Sequence, residues 1–177
     1  MPEALEHEFV PETSCPLPIN PILGVRRPGP VDRQSLVELV SQADQFTCDE
    51  VSCALELIDT ALVNPLGDYR VLLADVAGDT AGYICYGPTP MTLGTWDLYW
   101  IATHPRQRGR GIATALVEAM EADVRSLGGH RVRVETSHQT EYRAAHRFYQ
   151  RNAYPEVARL RDFYKPGDDL VIMLKVL

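Results

Sequence analysis

Apolar residues recur at three- and four-residue steps from Ile112 through Leu116, Met120 and Val124 to Leu127, and Gly128-Gly129 closes the run. That spacing predicts an amphipathic helix over 111–127. Just beyond it, Arg131 to Thr136 opens Arg-Val-Arg-Val, the period of a half-buried strand. The same reading predicts a first strand over Ile22–Arg27 and a helix from an Asp32 N-cap to about Ala43. Thr47 and Glu50 have capping-box spacing ahead of a helical pattern that runs to about Val63. Tyr69–Val76 and Thr80–Tyr86 form two strands around a turn at Gly78-Asp79, and Pro88 and Pro90 break the second run. Thr95–Thr103 is a third strand, with Asp97 and Tyr99 on one face and Trp96, Leu98 and Trp100 on the other. Glu141–Arg151 reads as a helix with Ala144, Ala145, Phe148 and Tyr149 near one face, and Val157–Phe163 and Leu170–Val176 read as closing strands. The order β-αα-βββ-α-β-α-ββ predicts a mixed α/β sheet of six to seven strands flanked by four helices. Hairpin connections in the middle exclude a doubly wound sheet.

Composition adds to this picture. Seven of the 13 prolines lie in the first 30 residues, so residues 1–20 read as an extended arm and 21–177 as one domain. The formal net charge of −7 argues against a grip on a nucleic-acid backbone. No apolar run approaches the roughly 18 residues of a membrane span. The N-terminus lacks the basic and apolar regions of a signal peptide. Cys15, Cys48, Cys53 and Cys85 have no metal-ligand spacing and read as reduced thiols, so a cytoplasmic protein without a metal is expected.

The turn between the third middle strand and the clearest helix carries the chemistry. His104-Pro105-Arg106-Gln107-Arg108-Gly109-Arg110-Gly111-Ile112-Ala113 packs three arginines and two glycines into it. Glycine admits positive φ and a close ligand, and the helix start offers unpaired N–H groups and the positive end of a dipole. Together these form a site for a diphosphate; the alternative is a tight turn with a solvated basic edge. A P-loop is excluded because no Gly-Lys-Ser/Thr occurs, and Gly109-x-Gly111 lacks the third glycine of the dinucleotide fingerprint.

This order of elements, with Arg108-x-x-Gly111-x-Ala113 after the fourth strand, resembles the GNAT superfamily of N-acetyltransferases. A second segment, Ala145-x-x-Phe148-Tyr149 with a trailing Ala153-Tyr154, resembles the family's Ala-x-x-x-Tyr helix and its Gly-Phe pair. The chain departs from the family at Tyr142, where an asparagine is common, and at Ala153, in place of glycine. The resemblance covers about Pro21 to Leu177 and implies acetyl-CoA as cofactor. Its diphosphate would lie on Gly109, Arg110, Gly111, Ile112, Ala113 and Thr114 with Arg108 at the turn. Its pantetheine arm would pair with Ile101, Ala102 and Thr103, and Tyr142 would keep a contact through its hydroxyl.

The resemblance also implies an acid and a base. A primary amine with a lysine-like pKa near 10.4 is mostly protonated at neutral pH, and the departing thiolate needs a proton donor. Tyr149 stands where the family places that acid. Asp97 and Glu135 are rivals for the base, and His138 is a third candidate. The acceptor pocket would draw on the two N-terminal helices, the Gly87–Met91 loop and the Asp162–Asp169 loop, with Tyr86, Tyr99 and Tyr164 as an aromatic wall. The expected partner is a small-molecule or peptide amine, not nucleic acid or membrane, and a homodimer is left open. A second reading keeps the fold but not turnover, as a non-catalytic acyl-CoA-binding sensor; Tyr149 and the carboxylates on adjacent strands argue against it.

Overall fold

The computed structural model describes residues 23–44 and 46–177. The expected arm over residues 1–20, with Cys15, lies outside them. The strands are β1 (Leu23–Arg26), β2 (Arg70–Val76), β3 (Asp79–Pro88), β4 (Thr95–Thr103), β5 (Arg131–Ser137), β6 (Glu156–Lys165) and β7 (Asp168–Val176). The helices are α1 (Arg33–Ser41), α2 (Cys48–Val63), α3 (Ile112–Ser126) and α4 (Arg143–Arg151). One seven-stranded sheet has the order β1-β2-β3-β4-β5-β7-β6, antiparallel throughout except for the parallel pair β4–β5. The predicted order of elements is the observed one.

Strand alternation sends side chains to two cores. Leu72, Ala74, Ile84 and Val134 pack with Leu116, Met120 and Val124 of α3 and with Tyr149 of α4. Val71, Leu73, Tyr83 and Cys85 pack on the other face with Leu36, Leu39 and Val40 of α1 and Ala54 and Ile58 of α2. The capping box forms as expected: Thr47 Oγ1 accepts from the Glu50 N–H at 3.3 Å, and Glu50 Oε2 accepts from the Thr47 N–H at 2.8 Å. Asp32 behaves differently from the expectation. A 3-10 turn over Pro30–Asp32 precedes α1, and the Asp32 carboxylate accepts from the Gly29 N–H at 2.7 Å rather than capping the helix. Arg26 holds the same carboxylate at 2.7 and 2.8 Å, chiefly through which its pKa falls to about 2.

A bulge in β4 overturns one facial assignment. Leu98 pairs with Tyr86 and Trp100 with Cys85, which leaves Tyr99 as an extra residue. Trp96 and Leu98 face α3, as does Ile101 beyond the bulge. Trp100 is turned to the α1–α2 face, where its ring meets Phe46 edge-on at 5.1 Å. Strict alternation had placed it with Trp96 and Leu98.

The end of α4 explains the Ala153 departure. Ala153 has φ 64°, and the Tyr154 N–H closes the helix onto the Tyr149 carbonyl at 3.0 Å. A left-handed residue at this position favours glycine, and alanine there costs about 1 kcal/mol or more. Ala153→Gly is therefore expected to raise the thermal midpoint by roughly 2–4 °C. A calorimetric scan checks this.

Candidate active site

β4 and β5 are paired only from Thr95↔Arg131 to Leu98↔Val134. Past the Tyr99 bulge, β4 stays with β3 through Thr103↔Gly82, while β5 stays with β7 through Ser137↔Leu170. The two strands therefore separate, and the backbone edges of residues 99–103 and 135–137 that face each other have no strand partner among the described residues. The bulge supplies the physical cause, because an extra residue bends its strand and strengthens the local twist.

The turn after β4 stands at the mouth of this split. A 3-10 turn over Pro105–Gln107 leads to Gly109 at φ 76° and Gly111 at φ 80°. A Cβ added at either glycine would meet no atom of the described residues within 4 Å. Gly111 precedes α3 with no side-chain cap, which leaves the N–H groups of Ile112, Ala113 and Thr114 directed outward from the helix start. Arg108 reaches Asp44 at 3.1 Å across the mouth, and Arg110 bonds the Gln107 side chain. Left-handed glycines, an uncapped helix start and an unpaired strand edge suit a diphosphate joined to an extended amide-bearing arm.

The candidate acid and bases lie on opposite faces of the sheet. Tyr149 is buried on the α3–α4 side, its ring near Phe148 at 5.4 Å and Tyr154 at 6.1 Å. Among the described residues no group hydrogen-bonds to its hydroxyl, and burial raises its pKa above the ordinary phenol value. Tyr154 is anchored in turn: its hydroxyl donates to the buried Glu121 at 2.9 Å, and Glu121 pairs with Lys175 at 2.7 Å.

On the other face, Arg133 donates to the buried Asp97 at 2.7 Å and stands 3.3 Å from the half-exposed carboxylate of Glu135. Burial, then Asp97, pushes the Tyr99 phenol up to about 12. His138 is exposed at the end of β5. Tyr142 donates its hydroxyl to Glu50 Oε1 at 2.9 Å, which ties the turn after β5 to the start of α2. Burial first, and that bond second, raise its pKa.

Some expected positions move, and some residues went unseen. Tyr86 does not line an acceptor pocket; it is fully buried on the α3 face, and its hydroxyl donates to Asp123 at 2.6 Å. Tyr164 is half-exposed; burial first, then the field of Glu135, Asp168 and Glu50, raises its pKa. Arg133 was not singled out from the sequence. Its alternating position gave the face, but its partner Asp97 follows only from the parallel register. Glu50 carried a capping signal and no sign of its bond to Tyr142. His146, whose Nε2 lies 2.9 Å from the Ser137 carbonyl, gave no signal beyond its place on α4.

The model of the acetyltransferase (GNAT) family matches residues 38–154. The chain belongs to the GNAT acetyltransferase family. The match takes in α2, the β4–β5 split, the glycine turn and α4. A GNAT-family protein from Desulfovibrio desulfuricans is 38% identical over 88% of this chain and 99% of its own, with a TM-score of 0.83. The ribosomal-protein-S18-alanine N-acetyltransferase of Escherichia coli is 18% identical over 88% of this chain and 94% of its own, at a TM-score of 0.68. The PaiA N-acetyltransferase of Thermoplasma acidophilum, in complex with coenzyme A, is 17% identical over 88% and 99%, also at 0.68. No curated protein matches the sequence. The chain is thus an acetyltransferase, and acetyl-CoA is the cofactor of its family. Among the described residues, no helix is long and apolar enough to cross a membrane.

Proposed function

We propose that this GNAT protein acetylates a primary amine of a small molecule or peptide by direct attack, with acetyl-CoA and acceptor bound together. The observation that carries this reading is the split between β4 and β5. Tyr149 lies on one face of the sheet beside it, and Asp97 and Glu135 lie on the other. The backbones of Ile101, Ala102 and Thr103 would hold the pantetheine arm. Gly109, Arg110, Gly111, Ile112, Ala113 and Thr114 would hold the diphosphate with Arg108, and Tyr142 would flank the arm. When bound, acetyl-CoA supplies an activated acetyl thioester.

Tyr149 is the proton donor in this reading. Its raised pKa keeps the hydroxyl protonated at neutral pH, and among the described residues no competing acceptor holds it. Asp97 and Glu135 face the side from which an amine would arrive, and acidic side chains there suit a cationic acceptor. Arg133 occupies Asp97 more closely than Glu135, which suits Asp97 to orienting the amine and leaves Glu135 the more available proton acceptor. The exposed thiols Cys48 and Cys53 fit a reducing, cytoplasmic setting.

A screen of primary amines for thiol release from acetyl-CoA tests the activity. Turnover with none of them would remove the amine assignment. The base is tested by pH. If a carboxylate takes the amine proton, its amide variant loses kcat near neutrality and recovers toward high pH, where the free amine is abundant. Glu135→Gln is expected to show that recovery, and Asp97→Asn a loss that persists at all pH values. The reverse pattern transfers the role to Asp97.

A further inference from the structure

Of the nine residues of α4, all of them described, only Tyr149 is buried; Ala145 and Phe148 pack against the core in part. The Tyr149 hydroxyl has no hydrogen bond among the described residues, so its place depends on what holds the ring and the end of the helix. Tyr154 holds both. Its N–H donates to the Tyr149 carbonyl at 3.0 Å, and the two rings meet edge-on at 6.1 Å and 61°. Tyr154 is itself fully buried, and its hydroxyl donates to the buried Glu121 of α3 at 2.9 Å. Lys175 of β7 donates to both oxygens of that carboxylate at 2.7 and 2.9 Å and stands 5.3 Å over the Tyr154 ring. The half-exposed Arg125 reaches the same carboxylate from the next turn of α3 at 3.4 Å. One buried carboxylate thus ties α3 and β7 to the end of α4.

We propose that Tyr154, clamped by Glu121 and Lys175, is a positioning residue for the proton donor. It holds the Tyr149 ring and the end of α4 in one place, so that the hydroxyl meets the departing thiolate without reorganising first. This role rests on Tyr149 being that donor. The clamp is poorly explained as a source of stability. A buried ion pair forfeits the hydration of both ions, and apolar side chains of similar volume are often as stable or more so. What the pair supplies is direction. Charge-assisted hydrogen bonds fix one arrangement of their partners, where apolar packing alone tolerates several. The arrangement fixed here is that of the ring in contact with Tyr149. Catalysis is sensitive to such placement, since an error of about 1 Å can lower a rate on the order of 10²-fold.

The combined change Tyr154→Phe, Glu121→Leu and Lys175→Met removes the polar clamp and keeps the side-chain volumes similar. The thermal midpoint is expected to hold or rise, and coenzyme A affinity by titration to stay within about threefold. The kcat should fall about tenfold. In a Tyr149→Phe background the same three changes should cost nothing more, because no hydroxyl is left to position. A merely structural clamp would lower the rate equally in both backgrounds. NMR of labelled tyrosine supplies a readout apart from turnover: the Tyr149 ring, assigned by its loss in Tyr149→Phe, should flip faster without the clamp. If the apolar variant does not fold, Tyr154→Phe alone decides. It leaves Glu121 paired with Lys175, and its loss of about fivefold should likewise vanish in the Tyr149→Phe background. Wild-type kcat in the variant that folds overturns the role of Tyr154, as does a loss that adds in full to that of Tyr149→Phe. Undiminished kcat in Tyr149→Phe alone removes the donor and this role with it. A large loss there, beside none on removing the clamp, keeps the donor and overturns the clamp alone.

Discussion

Tyr149→Phe is expected to lower kcat by about 10²–10⁴-fold while affinity for acetyl-CoA stays within about threefold. That loss corresponds to roughly 3–5 kcal/mol of transition-state stabilisation. The substitution removes one oxygen and keeps the ring contacts with Phe148 and Tyr154. The hydroxyl has no hydrogen-bond partner among the described residues, so its removal strands no buried group and the thermal midpoint should barely move. Steady-state kinetics with equilibrium binding of coenzyme A check both halves. Because burial raises the phenol's pKa, a donor at this position stays protonated through neutral pH and beyond the usual phenol range near 10. An alkaline fall in wild-type kcat centred well below that range therefore belongs to another group. A kcat within about threefold of wild type would return Tyr149 to a packing role.

Gly111→Val is expected to abolish coenzyme A binding in a protein that still folds. At φ 80° a β-branched residue is strained, by about 1–2 kcal/mol or more, so the thermal midpoint should fall by several degrees. A Cβ at this position has no atom of the described residues within 4 Å, so crowding by the protein is not what the substitution adds. The added side chain would instead occupy the space in front of the uncapped α3 start, where the diphosphate is assigned. Isothermal titration with coenzyme A, beside a circular dichroism melt, separates the two effects. Unchanged affinity in a folded variant would move the cofactor site away from this turn.

The sequence by itself determined most of what local periodicity and capping chemistry encode, the Asp32 cap and the far end of β4 aside. The α3 stripe, the Thr47–Glu50 box, the Gly78-Asp79 hairpin and the element order were all legible. So was the glycine turn, because positive-φ glycines ahead of a helix need no tertiary partner to be recognised. The tertiary structure decided what depends on a neighbouring strand. One extra residue at Tyr99 inverts the alternation of β4, sends Trp100 to the opposite core and opens the split beside β5. Nothing in the β4 sequence marks that residue as unpaired, because a bulge is a relation between two registers. Tyr86 follows Ile84 onto the α3 face by alternation, and only the fold brings Asp123 to its hydroxyl. Arg133 became the clamp on Asp97 because the parallel pairing sets them side by side. The insertion of β7 between β5 and β6 placed β6 at the edge of the sheet. Hydrophobic period names a face; only the pairing of strands says what that face meets.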